Sequence, residues 1–174
     1  MSKDNQELGF FNYAHSYCQS AFLLTEHKNK GTHIYQVVRH LFYQAMELYL
    51  KSFLLSQSVT ENELKSKYGH KLNDLFGAAF EKGLAVPVYL ERDFQHMQDT
   101  DNVISSRYIR YENHRVLSHE HLYEICFTLH QAVIEYAYSS VQSRRKPFLA
   151  NQSHGHPNNG SIEIYFERAP LNQS

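Results

Sequence analysis

Ala45-Met46-Glu47-Leu48-Tyr49-Leu50-Lys51 and, across a short link, Lys67-Tyr68-Gly69-His70-Lys71-Leu72 are the two segments whose reading decides the fold of this chain. The first lies within a long apolar run. Glu47 and Lys51 are four residues apart, so on a helix they share a face, and the acidic residue precedes the basic one as an i,i+4 ion pair prefers. On a wet edge such a pair contributes about 0.3–0.5 kcal/mol. If partly buried, it must find further hydrogen bonds to offset desolvation. His70 follows a glycine and stands just before a second apolar stretch.

Outward from these segments the chain reads as helices. Ile34, Val38, Leu41, Ala45, Leu48 and Leu55 form one stripe, and Phe42, Met46, Tyr49 and Phe53 form its neighbour. A helix over about 33–56 that is apolar on so much of its circumference belongs at the centre of the fold. Before it, Phe10, Tyr13, Ala14, Tyr17, Cys18, Ala21 and Leu24 predict an amphipathic helix over about 7–27. After it, Thr60-Glu61-Asn62-Glu63 has the capping-box pattern and starts a short helix that Gly69 ends. Leu75, Phe76, Ala79 and Phe80 predict a helix over 72–82, with Gly83 as its C-terminal cap. A further helix follows Pro87, to about Thr100. Ser118 caps the last one, whose stripe is Leu122, Ile125, Cys126, Leu129, Val133, Tyr136 and Ala137.

Two stretches do not fit this periodicity. Between Asp101 and Leu117 lies Arg107-Tyr108-Ile109-Arg110-Tyr111-Glu112-Asn113-His114-Arg115, a loop dense in cations and aromatics that could grip single-stranded RNA by charge and stacking, or simply be a solvated loop. Beyond Arg145 the composition turns to Asn, Ser, His, Gly and Pro. The chain therefore divides into a helical domain, 1–145, and a polar tail, 146–174, that is flexible or packs on the bundle or a partner chain. Within the tail, Ile162 to Phe166 alternates like a short strand, which must be disordered, pack on the helices or pair with a second chain. His154-Gly155-His156 offers two imidazoles without further ligands, so no metal and no other cofactor is expected.

Composition narrows the function classes. With 174 residues, one domain has a sufficient core. A net charge of −1, from 17 basic and 18 acidic side chains, gives no general field for nucleic acid, so any such binding needs a local patch. The 12 histidines would make the protein cationic somewhat below neutral pH. Cys18 and Cys126 sit in apolar helices and read as buried thiols of a reducing compartment. No apolar run approaches the roughly 20 residues of a membrane span, and Met1 to Glu7 lacks a signal-peptide pattern. A soluble cytoplasmic protein with no membrane association is expected.

Glu47-Leu48-Tyr49-Leu50-Lys51, then Tyr68-Gly69-His70-Lys71-Leu72, then an Arg-Tyr loop and a last helix resemble, in this order, the HEPN superfamily of small all-α domains, over about 7–141. The resemblance implies an all-α, up-and-down four-helix bundle with extra short helices. It also implies homodimerisation near the last helices and a role with RNA or nucleotides in toxin–antitoxin or defence systems, beside a cognate antitoxin or a nucleotidyltransferase-like protein. Many members are metal-independent ribonucleases with Arg, four to six residues, then His. Here Arg107 and His114 have that spacing, with histidine as base and arginine stabilising phosphate charge. Arg115 and His121 have it too, with His121 inside the helix start. Tyr108 and Val116 depart from the residues that active members often carry, and Arg110-Tyr111-Glu112 looks more like the loop of members without evident catalysis. RNA or nucleotide binding is thus expected at Arg107, Arg110, Tyr111 and Arg115. Glu47, Lys51 and His70 are expected to form a structural polar cluster, with a phosphate pocket shared with Arg110 and Tyr111 as the functional alternative. A non-catalytic protein-interaction module is the third reading.

Overall fold

In the computed structural model, residues 5–26, 33–100, 115–139, 141, 145–149 and 162–164 are described, with backbone alone at 98–100, 115–116 and 162–164. The elements are α1 (Gln6–Glu26), α2 (Ile34–Ser56), a single turn α3 (Glu61–Glu63), α4 (Leu72–Glu81), α5 (Tyr89–Thr100), β1 (Arg115–Leu117), α6 (His119–Ala137) and β2 (Ile162–Ile164). The fold is thus predominantly helical.

The buried side chains of α2 set the arrangement. Val38, Phe42, Tyr43, Ala45, Met46, Tyr49, Leu50, Phe53 and Leu54 are all buried, and they face more than one neighbour. α1 runs antiparallel to α2: the Ser52 hydroxyl donates to the Glu7 carbonyl at 2.7 Å, and the Phe11 and Tyr49 rings meet edge-on at 5.3 Å. α6 runs parallel to α2, with Tyr35 on His119, Phe42 on Tyr123, Tyr49 on His130 and Phe53 on Tyr136 in step along both helices. α4 packs on α2, and α5 packs on α4 through Phe76 and Phe94, whose rings stack at 4.3 Å. α5 opposes α6 in direction, since Asp93 meets His121 and Tyr89 meets Thr128. The four long helices α1, α2, α5 and α6 therefore alternate in direction along the chain.

Local signals place the ends. Thr60 and Glu63 form the full capping box: the Thr60 amide donates to Glu63 Oε2 at 2.8 Å, and the Glu63 amide donates to Thr60 Oγ1 at 3.2 Å. The helix expected through Tyr68 does not continue as an α-helix. From Leu64 to Tyr68 the backbone widens into a π-helical turn, closed by the Gly69 amide on the Leu64 carbonyl. Gly69 has φ +57, a conformation that costs any residue with a Cβ, and it turns the chain so that His70 comes back over α2. Gly83, at φ +88, ends α4 in a Schellman arrangement: its amide reaches the Phe80 carbonyl and that of Leu84 reaches Ala79. Ser118 Oγ accepts the His121 amide at 3.3 Å and so caps α6.

The tail differs from the three placements expected for its strand. Ile162–Ile164 pairs antiparallel with Arg115–Leu117 of the same chain, Glu163 opposite Val116. The last residues of the loop before α6 supply an edge with unpaired backbone groups, which is what a lone strand needs. Nearer the bundle, Leu149 is fully buried in the core while its neighbour Phe148 is 76 % exposed, so residues 145–149 lie over the helices as a strap.

Candidate functional site

Glu47, Lys51 and His70 come together. Glu47 is 2 % exposed, in the middle of α2. Lys51, one turn on, donates to its Oε1 at 2.6 Å. His70 Nδ1 lies 2.9 Å from Oε1 and 3.0 Å from Oε2. A carboxylate that already neutralises a lysine can only accept, so Nδ1 carries the hydrogen of this bond. The imidazole is 43 % exposed and makes the outer layer of the cluster. A buried carboxylate with one partner would leave lone pairs empty; His70 fills them, and in doing so ties the α3–α4 link to α2 across 23 residues of sequence.

A second polar group joins α5 to α6. His121 Nε2 is 2.9 Å from Asp93 Oδ2, and its Nδ1 is 3.7 Å from Glu124 Oε2. The hydrogen bond to Asp93, opposed by burial and helped by the charges of Asp93 and Glu124, raises the pKa of the ring. The pairing with Asp93 makes His121 a strut between α5 and α6.

A third group lies where α1, α2 and α6 meet. His130, 1 % exposed on α6, has Nδ1 3.1 Å from the Tyr49 hydroxyl. His15 of α1 sits 5.5 Å away, ring to ring, with a buried Nδ1 that has no hydrogen-bond partner among the described residues. Burial and then the neighbouring His15 push His130 down to about 4, against an opposing effect of the Pro147 backbone, and burial lowers His15. Next to this group, Cys18 and Cys126 are buried free thiols, and burial together with Cys18 raises the Cys126 thiol well above its ordinary value.

Of the expected RNA-binding and catalytic residues, Arg107, Arg110, Tyr111 and His114 lie outside the described residues, as do His154 and His156. Arg115 is placed by its backbone at the start of β1, immediately before the Ser118 cap. Among the described residues no three or more His, Cys, Asp or Glu converge as metal ligands, and no helix is long and apolar enough to cross a membrane.

The sequence pattern gave no sign of the Asp93–His121 pairing, which joins two helices 28 residues apart. His130 did leave a sign: it stands four residues after Cys126, within the apolar stripe of α6, where a histidine must find partners or lose its charge.

Comparison with family models, with curated proteins and with solved structures returns no match.

Proposed function

We propose that this chain is a HEPN-type RNA- or nucleotide-associated module, acting as a homodimer within a toxin–antitoxin or defence system. The observation that carries the reading is the meeting of Glu47, Lys51 and His70. The two segments on which the resemblance rests are joined through one buried carboxylate, so they form a single structural unit. The alternating directions of α1, α2, α5 and α6 agree with an up-and-down four-helix bundle of that superfamily. In this reading the bundle presents the segment from Arg107 to Arg115, which runs into β1 and the capped start of α6, and its cations and tyrosines hold phosphates and stack on bases.

Fluorescence anisotropy with a labelled single-stranded RNA tests this. Arg110→Ala is expected to weaken binding several-fold and to flatten its dependence on salt, because one phosphate contact is lost. Tight binding that Arg110→Ala leaves unchanged would remove this segment as the site, and no binding to RNA or nucleotide at low salt would remove the reading itself.

A further inference from the structure

Tyr35 stands in the first turn of α2 and is 54 % exposed, yet its ring is not a loosely held surface side chain. The imidazole of His119 stacks on it, with 5.5 Å between ring centres and 27° between planes. His119 is itself buried, and its Nε2 lies 3.3 Å from the Tyr35 carbonyl. A carbonyl only accepts, so Nε2 carries the hydrogen of this bond, and the backing ring is tied to the residue it supports. Phe42, in the core, meets the same imidazole at 6.4 Å.

His119 is the first residue of α6 and follows Arg115 by four residues. Four residues span at most about 14 Å, so the stacked pair lies within reach of a short RNA segment held at Arg115. Tyr13 gives the contrast. It is 68 % exposed on α1, but its neighbour Asn12 accepts from the Tyr138 hydroxyl, just past the far end of α6. That helix has 19 residues and is about 28 Å long, so Tyr13 belongs to the opposite end of the bundle. A ring already held in place by its backing loses little freedom when another flat ring lies on it. Every nucleobase has such a face.

We propose that Tyr35, backed by His119, is a platform on which a nucleobase of single-stranded RNA stacks, beside the phosphate contacts of the segment from Arg107 to Arg115. The proposal rests on the RNA-binding reading above and adds to it a contact with bases. His119 covers one face of the tyrosine and the base takes the other. The cations hold the backbone while the platform holds a base, and because stacking uses the π-face and not the hydrogen-bonding edge, this contact tolerates any sequence.

The chain has no tryptophan, so Tyr35→Trp is a single fluorescent reporter that keeps a stacking face. Its emission should be quenched over the same protein and RNA concentrations at which the anisotropy of a labelled single-stranded RNA rises. Tyr35→Leu keeps an apolar cover for His119 but has no π-face, and it should bind that RNA roughly 5- to 100-fold more weakly. Its dependence on salt should stay that of the wild type, because no phosphate contact is lost. Tyr35→Phe and Tyr13→Ala should bind as the wild type does. Wild-type affinity in Tyr35→Leu overturns the platform and leaves the RNA-binding reading standing, as does unquenched emission of Tyr35→Trp when anisotropy shows it bound. A loss in Tyr35→Phe as large as in Tyr35→Leu assigns the effect to the hydroxyl and also overturns it. Failure of the wild type to bind the RNA at low salt removes the reading and the platform together. If circular dichroism shows that Tyr35→Leu does not fold, the quenching of Tyr35→Trp decides alone.

Discussion

Glu47 holds together the polar cluster on α2. Its carboxylate is buried among apolar side chains of α2 and is stabilised there by an ammonium and an imidazole that arrive from different parts of the sequence. Removing it leaves Lys51 desolvated and unpaired. Glu47→Ala is therefore expected to cost about 3–5 kcal/mol in urea unfolding, whereas Glu47→Leu with Lys51→Met should cost far less, because no charge is left stranded. A single variant as mild as the double variant would mean that water reaches the cluster. At this scale the sequence was partly legible. The i,i+4 spacing placed Glu47 and Lys51 on one face, but which face was wet could not be read from spacing when the helix is apolar on most sides. The third partner, His70, is positioned by the π-helical turn and the positive φ of Gly69, which periodicity does not encode.

At the scale of elements, end signals were read more reliably than irregular backbone. The capping box at Thr60, the serine cap of α6 and the glycine that ends α4 stand where their residue types predict, since each satisfies orphan backbone groups locally. Two glycines of the α4 region separate helix propensity from backbone geometry. Gly77 is exposed within α4, and a Cβ there meets nothing within 4 Å. Gly77→Ala should stabilise by about 0.5–1 kcal/mol. Gly83 has equal space around it but sits at φ +88. Gly83→Ala should therefore destabilise by about 1 kcal/mol, through backbone strain alone. Thermal melts of the two variants should shift in opposite directions; a gain for both would contradict the left-handed turn after α4.

Across the whole molecule, two histidine sites oppose each other in their effect of pH on stability. His130 and His15 have lowered pKa values, so the unfolded chain binds more protons than the folded one; their contribution is complete above about 6.5 and fades as the pH falls toward 4. His121 is raised by Asp93, so its contribution is complete below about 6.5 and is lost as the pH rises through its folded value. Melting temperatures measured between about pH 4 and pH 9 should form a dome. His130→Gln should flatten mainly the acid side and His121→Gln mainly the alkaline side, and an exchange of those effects would refute the assignment.

The sequence by itself determined the helices, their apolar faces and most of their ends, because propensity, periodicity and capping act within a few residues. The same local patterns carried the resemblance to one superfamily. The tertiary structure alone decided which partner each histidine meets, since that depends on groups brought together from distant segments: Asp93 across from His121, Tyr49 against His130, and Glu47 beneath His70. It also gave the tail strand its partner, because pairing needs an exposed backbone edge, and only folding brings β1 beside it.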